Sequence, residues 1–596
     1  MIRISLIVAL GLALWGCQAG AGKTGQEADK FITAYTDQFV KLYYQSAQAE
    51  WRSNTHIVEG DSSNRIATQQ ANEALASFTG SKENIEKARE FLSKKDQLSE
   101  IQVKQLERIL YAAANNPQTV PELVEKRIKA EAEQVEKLYG FNFSLRGKDI
   151  SPNDMDEILR TSSDPDERLA VWTASKEVGK DLKSGLADLK ELRNKTVQAL
   201  GYDDYFAYQV SDYGMSTAEM MALNQRLVSE LLPLYRELHT YARYELAKRY
   251  GVKEVPDMLP AHWLPNRWGQ DWNAMVNVEG VDLDGALSDK PREWLMEQGE
   301  RFYKSLGFGP LPASYWEKSS LYPLPEDAGY KKNNHASAWH MDLQEDVRCL
   351  MSIVPNRDMY ETVHHELGHI YYFMAYTNPN VPPLLREGAN RAYHEGIGSL
   401  MGLAAMQKPF LAGLELIPES AGSDDMQSLL KEALNYVVFI PWSAGVMTEF
   451  EHDLYATDLS ADQYTARWWD LKKKYQGIVA PNERGPEYCD PASKTHINND
   501  AAQYYDYALS FVLLFQLHDH IAGKILHQDP RATNYYGSKE VGTFLQGILE
   551  KGASGDWRKM LKEKTGEDLS ARAMLSYFEP LMGYLKEQNK GRKYTL

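Results

Sequence analysis

The chain has 596 residues, of which 43% are hydrophobic and 25% are charged, and its formal net charge is −17. This length allows one large domain or several, and the hydrophobic fraction suffices for a substantial core. The chain carries no Lys/Arg-rich block. The composition therefore argues against a nucleic-acid partner, because phosphate binding needs a positive surface.

The first residues predict an export signal. Arg3 precedes an apolar run over 4–15 that is too short and wrongly flanked to span a membrane. The run ends in Leu14-Trp15-Gly16-Cys17, which resembles a bacterial lipoprotein signal that is cleaved before a lipidated cysteine. The alternative is an ordinary signal cleaved near residues 19–21. We expect an exported, periplasmic protein whose only membrane attachment is a lipid on Cys17, in the bacterial outer membrane.

Helical spacing dominates the rest of the chain. Apolar residues recur at helical intervals between Glu27 and Trp51. Further helical stretches are predicted over 82–112, 121–138 and 153–200, and long loops over 255–290, 310–335 and 475–495. Alternating, strand-like runs are scarce. The pattern predicts a mainly α-helical protein with little β-structure: a signal peptide over 1–16, a tether over 17–26 and one large domain over 27–596.

The stretch 363–369 contains the pattern H-E-x-x-H. On an α-helix, the spacing of His365 and His369 places both imidazoles on one face, about one turn apart. Two neutral imidazoles there can bind one Zn²⁺, and Glu366 beside them is a candidate general base. The alternative is a pair of core histidines, which is costly unless a partner satisfies them.

The helix that carries this pattern has predictable ends. Asp358, followed three residues later by Glu361, indicates a helix start. The run Thr377-Asn378-Pro379 indicates its end. Apolar residues recur between these points at helical spacing, so one side of the helix should be buried.

A catalytic zinc ion needs a third protein ligand and an open position for water. Glu395 lies 26 residues after His369, in a second helix-like segment that ends near Gln407. Glu387 is the rival candidate, but it precedes a Gly-Ala-Asn turn, where a solvated loop carboxylate is the simpler interpretation. The sequence therefore favours a His-His-Glu site.

Cysteine cannot supply this metal site. After Cys17, only Cys349 and Cys489 remain, too few for a thiolate zinc cluster. The sequence does not show whether they form a disulfide or stay as buried thiols.

Longer strings around these residues resemble the angiotensin-converting enzyme family of peptidyl-dipeptidases. The resemblance is carried by the strings at 364–370, 385–390 and 394–398, by His335-Ala336-Ser337-Ala338-Trp339, and by matches at 50–55, 260–262, 268–272, 468–477 and 490–497. These strings follow the family's order along nearly the whole mature chain, so the resemblance is specific.

The resemblance implies a zinc peptidyl-dipeptidase domain with two lobes around a deep groove, and N-terminal helices that form a lid. One zinc ion would be held by His365, His369 and Glu395, with Glu366 as the general base. His496 and Tyr507 match the positions from which the family supplies hydrogen-bond donors to the oxyanion. The positions that match the family's substrate-binding residues are Gln270, His335, Ala336, Ala338, Lys494 and Tyr504. Among these, Lys494, Tyr504 and Gln270 would bind the free C-terminal carboxylate of an oligopeptide.

Three features depart from the family's pattern. Ser399 replaces an Asp that helps to orient a zinc histidine, which predicts reduced zinc affinity. Asp506 stands where many members have a chloride-binding Arg, so chloride activation is not expected; one extra residue before Ser510 leaves Tyr504 less firmly matched than Tyr507. The cysteines that form disulfides in animal relatives are absent, with Asn334 and Ser352 near those positions.

The residues leave the mode of hydrolysis open. The rivals to dipeptide release are a zinc carboxypeptidase that trims single residues and a zinc endopeptidase of the same fold. A non-enzymatic alternative is a pseudo-peptidase that only binds peptides. The intact His-Glu-His-Glu set favours an enzyme.

Overall fold

The computed structural model describes residues 22–278, 282–419 and 425–596. It is 66% helical with 3% strand, so the predicted mainly α-helical fold is confirmed. The predicted signal peptide and Cys17 lie outside the described residues. No helix within those ranges is long and apolar enough to cross a bilayer.

Four helices form an N-terminal layer: α1 (Lys23–Thr55), α2 (Ser63–Thr79), α3 (Lys82–Leu92) and α4 (Glu100–Ala114). Helix α1 begins four residues before the predicted start at Glu27, so part of the predicted tether is helical. The layer has a small apolar cluster of its own, which includes Ile32, Tyr35 and Leu106 and also contacts Leu384 of the remaining chain. Its packing is therefore partly independent of the main core.

The rest of the chain forms the body, residues 121–596, around one large apolar cluster. Its first helices are α5 (Pro121–Tyr139), α6 (Pro152–Thr161), α7 (Pro165–Lys176), α8 (Val178–Gln198), α9 (Tyr205–Ser211), α10 (Thr217–Arg249), α11 (Leu283–Ser288), α12 (Arg292–Leu306) and α13 (Ala313–Lys318). The predicted stretch 153–200 is thus three helices, broken where Ser162 and Glu177 end α6 and α7.

The second half of the body carries the remaining helices. They are α14 (Arg357–Tyr376), α15 (Arg391–Ala405), α16 (Lys408–Gly413), α17 (Asp425–Ile440), α18 (Thr448–Ala456), α19 (Tyr464–Leu471), α20 (Thr495–Asn499), α21 (Tyr505–His520), α22 (Lys539–Leu549), α23 (Trp557–Thr565), α24 (Arg572–Tyr577) and α25 (Glu579–Gln588). Helix α14 packs against α15, and α15 packs against α21, so these three helices form the centre of the body.

The strands pair two by two: β1 (Ser144–Leu145) with β2 (Lys148–Asp149), β3 (Leu259–Pro260) with β6 (Ile478–Val479), and β4 (Ser337–His340) with β5 (Val347–Leu350). The β3–β6 pair is parallel and brings two distant loops together. The β4–β5 pair is antiparallel, with Ser337 opposite Leu350 and His340 opposite Val347. Strand β4 contains Ala338 and directly follows His335 and Ala336, the residues that the sequence predicts to bind substrate here.

Lys332 holds the segment that leads into β4. Its buried ammonium donates hydrogen bonds to oxygens of Ser320, Tyr322 and Met351. Ser352 donates to Asn334 Oδ1 at 3.3 Å, joining the segment before β4 to the segment after β5. Cys349 and Cys489 are free and buried, so they form no disulfide with each other. Hydrogen bonds and one buried charge therefore fix this region.

Candidate metal centre and active site

Helix α14 carries the H-E-x-x-H pattern. Its N-cap is Asn356, whose Oδ1 accepts a hydrogen bond from the Met359 N–H at 2.8 Å. The predicted start at Asp358 is wrong by two residues, because both residues are good caps and the earlier one makes the bond. The helix ends at Tyr376 with Thr377 as its C-cap, as predicted.

Helices α14 and α15 approach closely at glycines. A Cβ atom on Gly368 would lie 2.8 Å from Gly398 Cα, and one on Gly398 would lie 2.9 Å from His365 Cε1. Larger residues would push the helices apart and displace the imidazole. Helix α15 begins after the N-cap Asn390 and ends at Ala405, slightly before the predicted end.

The three predicted metal ligands come together between these helices. One ligand atom each from His365, His369 and Glu395 lie within 4.8 Å of one another. The two Nε2 atoms are 3.1 Å apart, and His365 Nε2 lies 3.8 Å from Glu395 Oε2. Burial lowers the pKa of both histidines to about 4, so each offers a neutral lone pair. This donor set fits zinc.

Glu366 projects from α14 beside this group. Its side chain is buried, and Oε2 has no hydrogen-bond partner within the described residues. Burial, with a smaller contribution from the charge of Glu395, raises the pKa of Glu366 to about 8. In its carboxylate form, which a cation bound by the neighbouring donor set would favour, Glu366 can accept a proton from a reacting molecule.

His394 supports one of the candidate ligands. Its Nδ1 lies 2.8 Å from Nδ1 of His369, and its ring stacks on Tyr372 at 4.7 Å. A histidine that binds metal through Nε2 carries its proton on Nδ1, so His394 Nδ1 is the acceptor. The sequence predicts no role for His394, because its position beside Glu395 does not show which way the ring points.

The rival ligand Glu387 lies outside the group. It forms an ion pair with Arg108 of α4, and the same guanidinium binds Asp212 at 2.7 Å. Burial raises the pKa of Glu387, and Arg108 opposes that rise. Glu387 is a loop carboxylate whose side chain is 37% exposed, as predicted, and its ion pair with Arg108 joins the N-terminal layer to the body.

A cavity of about 1000 Å³ opens onto the metal ligands. His335, Ala336 and Ala338 line one wall of it, next to Glu366. Arg108 and Tyr111 of the N-terminal layer line another part. The cavity can hold several residues of an extended peptide beside β4.

The predicted carboxylate-binding residues also come together, although they are distant in sequence. Lys494 Nζ donates to Gln270 Oε1 at 2.8 Å, and the Tyr504 hydroxyl lies 3.5 Å from the same oxygen. The ammonium lies 4.3 Å from the Trp268 ring centroid. Burial lowers the pKa of Lys494 to about 7. No carboxylate forms an ion pair with it in the described part of the chain, so an incoming anion would be its charge partner.

We call the group of Lys494, Gln270 and Tyr504 the carboxylate anchor. His496 and Tyr507 lie next to it. The Tyr507 hydroxyl is 3.4 Å from His496 Nε2. The Tyr504 ring is 4.9 Å from each of the other two rings. Burial raises the pKa of Tyr507, and Glu395 is among the charges that act on it. The two predicted oxyanion donors therefore lie between the anchor and the helix of the third ligand.

Two further buried lysines, which were not predicted from the sequence, lie near Lys494. Lys472 donates to Gln476 Oε1 at 2.6 Å, and Lys176 lies 5.4 Å from the Trp268 ring. Burial lowers the pKa of both, and the positive charge of Lys494 adds to the effect. No local pattern marks them, because Lys472 stands in a run of three lysines that resembles a surface segment.

Two imidazoles and a carboxylate from adjacent helices, with a buried acid beside them, define a site of the zinc metallopeptidase class. Comparison with known sequences gives a more specific result. The family model for angiotensin-converting enzyme matches residues 22–596, so the chain belongs to the angiotensin-converting enzyme family, whose peptidases are zinc-dependent. The resemblance found in the sequence is confirmed.

Individual relatives agree. The chain is 31% identical over 582 residues to angiotensin-converting enzyme of Oryctolagus cuniculus, covering 94% of this chain and 43% of that protein. It is 30% identical over 595 residues to angiotensin-converting enzyme of Mesocricetus auratus, covering 96% and 44%. It is 32% identical over 459 residues to the angiotensin-converting enzyme-like protein Ace3 of Mus musculus, covering 74% and 61%. The chain thus spans less than half the length of the first two.

Proposed function

We propose that this protein is a zinc peptidyl-dipeptidase that removes dipeptides from the free C-terminus of oligopeptides. The observation that supports the proposal is a series of neighbouring side chains that links two groups of opposite character. A metal donor set with a buried acid lies on one side, and a buried ammonium with neutral donors lies on the other. His496 and Tyr507 lie between them. An enzyme that cuts at a fixed distance from a free C-terminus needs both groups.

Within this proposal, His365, His369 and Glu395 hold one zinc ion. The ion, when bound, supplies Lewis-acid activation of water and of the scissile carbonyl. Glu366 takes a proton from the attacking water and passes it to the leaving amine.

Hydrogen-bond donors complete the reaction centre. His496 and Tyr507 donate to the oxygen on which negative charge develops, and a donor of this kind contributes about 2.7–4 kcal/mol. Burial lowers the pKa of His496 to about 4, so it donates as a neutral imidazole.

The substrate carboxylate binds at Lys494, with the side chains of Gln270 and Tyr504 beside it. The negative charge of the substrate carboxylate favours the charged ammonium of Lys494, and so opposes the lowering of its pKa by burial. The peptide backbone lies along β4 and the two residues before it, where it contacts His335, Ala336 and Ala338. The substrates are flexible oligopeptides, because the N-terminal layer borders the cavity.

Product analysis of one decapeptide tests the proposal. Mass spectrometry of the zinc-loaded protein with a free-ended peptide should show successive losses of two residues from the C-terminus, and the C-terminally amidated twin should resist. Single-residue losses would instead indicate a carboxypeptidase, and internal cuts of both peptides an endopeptidase. Binding without any cleavage at full zinc loading would indicate a pseudo-peptidase.

We further propose that activity does not require chloride. Asp506 places a buried carboxylate 3.4 Å from Arg391 Nε, where it competes with any added anion. Rates at constant ionic strength should be equal in chloride and in a weakly bound anion such as gluconate. A steep rise with chloride would contradict this.

Export and lipid attachment at Cys17 complete the proposal. In a bacterial host, an alkyne-labelled fatty acid should be incorporated into the wild-type protein and not into Cys17→Ser. The variant should also leave the membrane fraction. An unlabelled, exported wild-type protein would indicate the ordinary signal instead.

A further inference from the structure

Arg391, in the first turn of α15, contacts two carboxylates. Its two Nη atoms donate to Asp500 at 2.9 and 2.7 Å. Its Nε lies 3.4 Å from Oδ2 of Asp506, whose side chain is only 1% exposed. That oxygen has no hydrogen-bond partner among the described residues. The Arg391 guanidinium is therefore the cation that pairs with Oδ2, and it is shared with Asp500.

The other oxygen of Asp506 leads to the same turn of α15. Asp506 Oδ1 accepts a hydrogen bond from the Tyr213 hydroxyl. The Tyr213 oxygen in turn accepts from the backbone N–H of Ala392 at 3.0 Å. Asp506, in the first turn of α21, is thus connected to two consecutive residues of α15.

Both connections lie next to groups of the proposed active site. Arg391 precedes the candidate ligand Glu395 by four residues, one helical turn. Asp506 directly precedes Tyr507, and Arg391 Cζ lies 5.9 Å from the Tyr507 ring centroid. The network therefore spans the helix of the third ligand and the helix of an oxyanion donor.

We infer that Asp506 is a positioning residue, a built-in anion that fixes Arg391 and so sets the placement of Tyr507 relative to Glu395. Burying a carboxylate against one guanidinium is costly, and it is offset only while the pair stays intact. Without the carboxylate, Arg391 keeps Asp500 as its one carboxylate partner among the described residues, and the Tyr213 hydroxyl loses its acceptor. The catalytic consequence of this inference rests on the proposed function.

Replacing Asp506 by alanine opens a space lined by a guanidinium and a hydroxyl donor. Asp506→Ala should reduce kcat by about 10- to 100-fold, since small misplacements of reacting groups cost up to about 10²-fold. Formate or chloride at about 50–200 mM should restore a large part of this loss, because a small anion can occupy the space. Asp506→Asn should lose activity without recovery, because its amide fills the space without charge. Asp506→Ser is the second variant if the alanine protein does not fold.

Thermal unfolding without substrate separates this inference from the proposed function. Formate should raise the Tm of Asp506→Ala and leave wild type and Asp506→Asn unchanged. Glu451→Ala is the control, because Glu451 is a buried carboxylate that binds the Ala502 N–H and forms no contact with Arg391; its Tm should not respond.

The outcomes are distinct. If anions raise the Tm of Asp506→Ala, the inference that Asp506 is a built-in anion is supported. If zinc-loaded wild type then cleaves no peptide, only the proposed function is refuted. Wild-type kcat in Asp506→Ala, or no response of its rate and Tm to either anion, would overturn the inference.

Discussion

The metal centre and the carboxylate anchor differ in the sign of the charge that burial disfavours: a carboxylate at the first and an ammonium at the second. At the metal centre, two neutral imidazoles lie beside Glu366, whose pKa is raised to about 8. A bound cation there would favour the charged form of this carboxylate. At the anchor, Lys494 lies near two other buried lysines and has a pKa lowered to about 7. A bound anion there would favour the charged form of this ammonium. Under the proposed function, this difference would orient a peptide, because its carboxylate would bind at Lys494 and its scissile carbonyl would approach the metal centre.

Removing the acid from the metal centre should have the largest effect. Glu366→Gln retains His365, His369 and Glu395, so zinc should still bind. The variant loses the group that accepts the proton, which should lower kcat by about 10²–10⁴-fold. Steady-state rates together with zinc stoichiometry by emission spectroscopy check this. Near-normal kcat at full zinc content would show that Glu366 is not the base.

Removing the charge from the anchor should affect binding of the C-terminus. Lys494→Met should lower kcat/KM for free-ended peptides by about 10- to 150-fold, as expected for a hydrogen bond to a charged group worth about 1.5–3 kcal/mol. The loss should appear mainly in KM. Lys473→Met is the matched control, because Lys473 is exposed and should leave the rate unchanged. An equal loss for amidated peptides would show that Lys494 does not bind the carboxylate.

Adding a carboxylate near the metal centre should strengthen metal binding. Ser399 follows Glu395 by one turn of α15, and Ser399→Asp restores the family's acid at this position. The zinc Kd should fall by about tenfold, the low end of the effects of residues that orient ligands. Dialysis titration against a chelator measures it, with Ser399→Ala as the control. Unchanged affinity in the aspartate variant would refute this explanation.

The pH dependence of KM should show a smaller effect of the anchor. Lys494 is charged below its pKa of about 7 in the free protein, and the charged form binds the carboxylate. KM should therefore rise about fivefold between pH 7 and pH 8, the change in the charged fraction for that pKa. The rise should be absent in Lys494→Met. A wild-type KM that is flat from pH 6 to pH 8 would contradict it.

The same titration affects stability with a definite sign. An unfolded lysine holds its proton up to about pH 10.4, whereas the folded protein releases it near 7. The unfolded state then binds more protons between these values, so this group makes substrate-free protein more stable as pH rises through that window.

The metal centre could be predicted from local patterns, whereas the anchor could not. His365, Glu366 and His369 share one helix, and Glu395 follows on the next, so spacing and chain order were enough. Lys494 and Gln270 are 224 residues apart, and no periodicity links them. They were identified through the family resemblance alone. Their roles in substrate binding, like the signal peptide, stay predictions.

The polar network around the site was missed for a related reason. Arg108 meets Glu387 and Asp212, and Tyr213 and Asp506 meet the first turn of α15, only through tertiary packing of segments that are distant in sequence. The shift of the α14 start from Asp358 to Asn356 has a different cause, because two capping residues stand close together and sequence cannot choose between them.

The lysine that holds β4 has a practical consequence for handling the protein. Lys332 joins its neighbours through an ammonium and oxygens, and the two described cysteines are free, so thiol reductants have no bond to break in the described chain. Dithiothreitol can still compete for a thiophilic metal. Inactivation by dithiothreitol would therefore report loss of zinc, and zinc supplementation should reverse it.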